Sequence, residues 1–217
     1  MARASSRKKT SKAAAGGRRS PKQARARALV DAVVEATAQV LREGGPEAAN
    51  TNRIAERAGV SIGSLYQYFP NKTALFTAVS ERHVEQLEHE VQSLIAEFVE
   101  HPAEDLVDYG VRSFFAVIRV DAPLHAALQR VSLWGMASGV LNDFRQRTEA
   151  MLAAVLAARA DEFETPVANP ELAARVAVRA LAGILDASIL ENPEAVNDEA
   201  LIAETTRLLS ARFGESG

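Results

Sequence analysis

The chain has no cysteine, one tryptophan and four histidines in 217 residues. The first absence excludes disulfides, thiolate nucleophiles and sulfur-ligated metals. No apolar run approaches the roughly 18 residues needed to cross a bilayer, and the N-terminus lacks the apolar segment of a secretory signal. A soluble, cytoplasmic protein with no membrane partner is therefore expected. A carboxylate-bridged di-metal bundle needs Glu-x-x-His on inward helix faces, and none of the four histidines has a glutamate three positions before it. The residues three before His83, His89, His101 and His125 are Ser80, Gln86, Phe98 and Ala122. Glu85 and His89 stand four apart, as a solvated helix face does. No Ser/His/Asp arrangement and no glycine-rich phosphate loop is recognisable, so no enzyme, metal or cofactor is expected. Glycine and proline number only 12 and 8, and no segment alternates apolar and polar residues for long. Strands are thus disfavoured, and the expected fold is all-α.

What is present is enough to build a core: 47% of residues are hydrophobic and 24% charged. Charge is unevenly placed. Residues 1–82 hold 15 Lys and Arg against 6 Asp and Glu, whereas residues 83–217 hold 10 against 22. A basic end on an acidic body suits a protein that presents one end to phosphates. Residues 1–27 carry ten of those cations, no acid and no large apolar side chain after Met1. They are expected to form a disordered tail, either an arm along DNA or a solvated source of non-specific attraction.

The most informative stretch is Asn50 to Lys72, NTNRIAERAGVSIGSLYQYFPNK. Asn50 or Thr51 can cap a short helix whose Ile54, Ala55 and Ala58 share one face, and Gly59 can end it. Ser61 can cap the next helix, with Leu65 and Phe69 as its buried stripe and Ile62, Gly63, Ser64, Tyr66, Gln67 and Tyr68 mostly outward. Asn71 can cap a third helix from Lys72. Two short helices joined this way form a helix-turn-helix, whose second helix enters the major groove.

TNRIAERA followed by GVSIGSLYQYFPNK resembles the DNA-binding signature of the tetracycline-repressor (TetR) family, over about the first third of the chain. Pro46 and Asn50 depart from the usual pattern, standing where an aromatic residue and a threonine are common; asparagine is an equivalent cap. The resemblance implies an N-terminal three-helix helix-turn-helix domain at residues 28–74, after the tail. A C-terminal helical ligand-binding and dimerisation domain would occupy residues 75–217. It further implies that Thr51 and Lys72 hold phosphates, as a helix N-terminus and an ammonium suit anions. Ser61 and Tyr66 would help position the backbone, and Asn52 and Ile62 belong to the same surface. Gly63 would allow close approach. Ser64, Gln67 and Tyr68 are candidates for base edges, Gln67 with adenine in bidentate fashion.

The remaining periodicity predicts a first helix over 26–42, ended by Gly44 and Gly45, and a long helix from Lys72 to before Pro102. Further helices are expected at about 103–119, 122–138, 140–163, 170–191 and 197–213, with prolines near their boundaries. By the resemblance, Tyr109, Phe114, Phe115 and Ile118 on one helix, with Leu133, Trp134, Met136 and Met151 beyond it, would surround an effector pocket; their spacing alone fits simple core equally. The resemblance likewise implies a four-helix dimer interface, for which the helix-borne Leu152, Val155 and Leu156 and the small-residue stripe Val176, Ala180, Gly183 and Ala187 are candidates; packing within one subunit is the alternative. The sequence thus points to a homodimeric transcriptional repressor that binds double-stranded operator DNA and is released from it by an unidentified small apolar effector. An architectural DNA binder without effector is the alternative.

Overall fold

Asparagine and serine side chains set where several helices begin. Asn50 Oδ1 accepts the Arg53 amide at 2.9 Å, Ser61 Oγ the Ser64 amide at 3.1 Å and Asn71 Oδ1 the Ala74 amide at 2.8 Å. Asn169 Oδ1 likewise accepts the Leu172 amide at 2.9 Å. Each satisfies an N–H that a helix N-terminus leaves without an internal partner. The computed structural model describes residues 21–100, 106–160 and 167–213. Among them the regular elements are helical: α1 (Pro21–Ala48), α2 (Thr51–Ala58), α3 (Ile62–Tyr68), α4 (Lys72–Glu100) and α5 (Leu106–Arg119). There follow α6 (Ala122–Leu133), α7 (Ser138–Ala158), α8 (Pro170–Glu191), a 3-10 turn (Pro193–Asn197) and α9 (Glu199–Phe213).

Several boundaries differ from the sequence expectation, among them the end of α7, at Ala158 rather than near 163, and three before it in the chain. α1 begins at Pro21, so residues 21–27 are helical rather than part of a disordered tail; residues 1–20, the rest of that tail, lie outside the described residues. Proline suits a first helical position, and the Ala, Gln and Arg that follow are strong helix formers that need no apolar face when the helix they extend is already packed. At its other end α1 bends at Gly45, whose φ of 67° lies outside the helical region, and one further turn reaches Ala48. α6 stops at Leu133 instead of near 138, because Gly135 (φ 74°) and Ala137 (φ 53°) adopt left-handed conformations.

Two main cores follow from these helices. The first gathers Val33, Val40, Leu41, Ile54, Leu65, Phe69, Leu75 and Phe76 of the N-terminal helices, and Leu124, Leu128 and Val131 of α6 join it. The second holds Leu87, Val111, Phe115, Leu185, Ile189 and Ile202. α4 serves both, with Val79 and Val84 in the first and Leu87 in the second. Its 29 residues span about 43 Å at 1.5 Å per residue. Arg42 Nη2 meets the Asp121 carboxylate at 2.7 Å and Arg82 Nη2 meets Asp31 at 3.3 Å, tying α1 to the start of α6 and to α4.

Where α4 crosses α6, His83 Nε2 lies 3.0 Å from His125 Nδ1, both rings buried. Burial, and secondarily the His125 ring, hold His83 down to a pKa of about 3. The folded protein therefore keeps His83 neutral where the unfolded chain, with an ordinary value near 6.5, takes up a proton. Stability from this site is complete above about pH 6.5 and declines as pH falls from there toward 3, by roughly 1.4 kcal/mol per unit. At pH 5 the loss is expected to reach about 2 kcal/mol relative to pH 7. Urea unfolding of the wild type and His83→Gln at both pH values checks this; an equal decline in the two proteins would rule His83 out as its source.

Candidate nucleic-acid interface and effector cavity

The helix-turn-helix is assembled by local signals. Gly59, at φ 66°, ends α2, and its amide and that of Val60 return to carbonyls of α2. Ile54 and Leu65 are fully buried, which fixes the crossing of α2 and α3 and turns the other face of α3 outward. At the outer edge Thr51 Oγ1 lies 3.2 Å from the Tyr66 hydroxyl, linking the start of α2 to the middle of α3. Glu43 braces the end of α1 against α2 through Arg53, at 3.2 Å, and Arg57; the guanidinium of Arg57 holds its carboxyl below the usual carboxylate range.

The predicted contact residues come together on one surface. Asn52, Ser61, Ile62, Gly63, Tyr66, Gln67 and Tyr68 are exposed there, and Thr51 and Ser64 are half-buried. The Ser64 hydroxyl is 2.8 Å from that of Ser61, so it is engaged at the cap, whereas the side chains of Gln67 and Tyr68 make no hydrogen bond among the described residues. α3 carries no charged residue. Lys72 is turned partly inward: its ammonium donates to the Pro46 carbonyl at 2.9 Å and sits 5.2 Å from the Phe76 ring centre. Pro46, the unusual residue, lies in the last turn of α1, is buried and supplies that anchor.

Lys72→Ala is expected to cost stability, about 1 kcal/mol for the lost hydrogen bond, and to flatten the salt dependence of DNA binding by about one unit of slope. Gln67→Ala is expected instead to relax preference at one operator position, by about 1–3 kcal/mol. Titrations over a set of single-base operator variants separate the two; a uniform loss for both would remove Gln67 from base reading.

A cavity of about 130 Å³ opens between α4, α5, α7, α8 and α9. Of the eight residues proposed from sequence for a pocket, Phe114 lines it, and Ile118 lines a smaller neighbour. The others are elsewhere. Phe115 is fully buried in the second core, and the Tyr109 hydroxyl donates to Glu97 at 2.7 Å. Leu133 and Trp134 are 74% and 48% exposed. Once α6 ends at Leu133, its helical stripe no longer carries these two inward. Met136 packs against the first core, and Met151 is half-buried without reaching the cavity wall. The wall is built instead from Val91, Leu94, Ile95 and Phe98 of α4 and from Ala177 and Leu181 of α8.

Two candidates for the dimer interface also line it, Leu152 and Leu156, while Val155 is buried within the subunit. These three pack inside one chain, since the inward stripe of α7 meets α8. The stripe on α8 behaves differently: Val176 is 52% exposed, Gly183 and Ala187 are exposed and Ala180 is half-buried. Among the described residues, no three or more His, Asp or Glu side chains converge as a metal site would require, and no helix is long and apolar enough to cross a membrane.

Residues 33–79 match the model of the bacterial regulatory proteins of the tetR family, and residues 102–211, about half of the chain, match the tetracyclin repressor-like C-terminal domain. The HTH-type transcriptional repressor KstR of Mycolicibacterium smegmatis is 38% identical over 56 residues, which cover 26% of this chain. The match spans 28% of KstR's own length. A TetR-family regulator from Mesorhizobium loti MAFF303099 superposes with a TM-score of 0.69 at 18% identity, covering 88% of this chain and 98% of its own. FadR from Bacillus subtilis, solved in complex with stearoyl-CoA, does so with a TM-score of 0.57 at 17% identity, covering 86% and 99%. Likeness at these identities establishes the shared fold.

Proposed function

The chain belongs to the tetracycline-repressor family of bacterial regulatory proteins, and on that footing we propose that it is a homodimeric repressor released from operator DNA by a small apolar effector. The observation that carries this reading is the course of α4. Its first turn, with Lys72, lies against the helix-turn-helix, and Val91, Leu94, Ile95 and Phe98 farther along it form one wall of the cavity. A ligand that prefers one position of these side chains biases the position of the reading head, which is coupling through a shared element.

In this reading Thr51 and Lys72 meet phosphates, Ser61 and Tyr66 position the backbone, and Gln67 and Tyr68 lead the reading of base edges. Asn52, Ile62, Gly63 and Ser64 complete the contact surface. The outward stripe of α8 meets its counterpart in a second copy, placing two reading helices on two half-sites. The cavity favours this over an architectural DNA binder, which has no need of one. The named relatives support the reading too: KstR is a repressor, and FadR holds an acyl thioester. The test is to sequence the DNA recovered with the purified protein and titrate the enriched fragment against apolar compounds. Coating of DNA without preference, with no compound releasing it, would sink the proposal.

A further inference from the structure

Beside the main cavity lies a second chamber, and Phe114, Thr148 and Val178 line both. Their linings differ in kind. Among the described residues that line the main cavity, Ser113 and Thr148 supply the only polar side-chain atoms and none is charged. Its volume of about 130 Å³ is near that of an engineered apolar cavity of about 150 Å³ that binds benzene. A ligand body there is uncharged and about one ring in size, because a charge taken from water without a partner is costly.

The second chamber, about 30 Å³, adds Gln129, Asp186, His125 and Arg145 to the shared residues. Gln129 Nε2 donates to the Asp186 carboxylate at 2.9 Å and lies 3.3 Å from His125 Nε2. Asp186 is also 3.4 Å from His125 Nε2 and 3.7 Å from Arg145 Nη2. The carboxylate and the guanidinium offset each other. An added carboxylate would face Asp186 and an added ammonium would face Arg145, whereas a hydroxyl can donate to Asp186 and accept from Gln129.

Resting on the effector reading above, we propose that the ligand is a compact, neutral amphiphile: a one-ring apolar body in the main cavity and a hydroxyl-like head held by Gln129 and Asp186. His125 gives that head a consequence. Its Nε2 borders the chamber, and its Nδ1 is 3.0 Å from His83 Nε2 on α4. The head group thus joins a hydrogen-bonded path to the helix that starts at the DNA-binding end, and the members of such a path polarise one another.

The experiment uses the full chain and three probes with one ring and different heads: toluene, p-cresol and 4-methylbenzoate, titrated by NMR. We expect p-cresol to bind about three- to tenfold more tightly than toluene, the worth of one neutral hydrogen bond, and 4-methylbenzoate to bind more weakly than either. p-Cresol, but not toluene, should shift the ring nitrogens of His125 and His83. Gln129→Leu should erase the preference for p-cresol, and so should Asp186→Asn, which keeps the local shape if the first variant does not fold. Equal binding of toluene and p-cresol with unmoved histidine signals, or a preference that survives both variants, overturns the head-group assignment and leaves the effector cavity standing. If none of the three binds, the one-ring, hydroxyl-headed ligand is overturned, while release of the operator by a different apolar compound keeps the effector reading.

Discussion

Gly183→Arg is expected to give a folded protein that sediments as a monomer and binds its operator about 10²–10⁴-fold more weakly. The fold should survive because a Cβ built on Gly183 meets nothing within 4 Å, so the subunit has room for a side chain. Replacing a glycine inside a helix also removes a conformational-entropy cost of about 0.5–1 kcal/mol. The dimer should not survive. If the stripe of Val176, Gly183 and Ala187 on α8 meets a second copy, two arginines must be buried without partners or must force the subunits apart, and unpaired burial is costly. Operator affinity falls with the dimer because the second half-site no longer binds at high effective concentration. Sedimentation and operator titration of the same preparation test this. A dimer with undiminished affinity would move the interface off α8.

Ala177→Phe is expected to abolish release by the effector while operator binding persists. Ala177 is 6% exposed and lines the main cavity from α8. A phenyl group there occupies the space that the effector's body needs. The reading head is remote from the change, so the variant retains its DNA surface, and overpacking should cost about 1–3 kcal/mol of stability. The measurement is operator release across an effector titration, with thermal unfolding as a check on the fold. Release at an unchanged half-maximal concentration would place the effector outside this cavity.

The DNA-binding end was largely legible in the sequence because its determinants are local. The capping residues Asn50, Ser61 and Asn71 act within three residues, and Gly59 needs only its own backbone freedom. The outward face of α3 followed from the placement of Leu65 and Phe69. Other features there depended on partners far along the chain. Lys72 was assigned to phosphate by resemblance, but the ammonium is also tethered to Pro46, 26 residues away. The His83–His125 pair joins positions 42 apart, and neither periodicity nor composition marks it.

The cavity and the interface depended on such distant relations throughout. A single helix over residues 122–138 makes Trp134 a pocket candidate, whereas the left-handed backbone at Gly135 and Ala137 leaves it at the surface. Leu152 and Leu156 form a clear apolar stripe, yet the stripe alone does not distinguish a core, a ligand and a second subunit, all of which are apolar partners. By itself the sequence determined the all-α class, the helix-turn-helix with its caps and the outward face of its second helix, and the basic end on an acidic body. Each of these follows from residue type and short-range spacing. Only the tertiary structure decided that α4 belongs to both cores, that α7 turns its stripe inward while α8 shows its own to solvent, and that an apolar cavity lies beside a polar chamber. Those properties arise where helices distant in sequence meet, and the angles at which they pack are set by all the contacting side chains together.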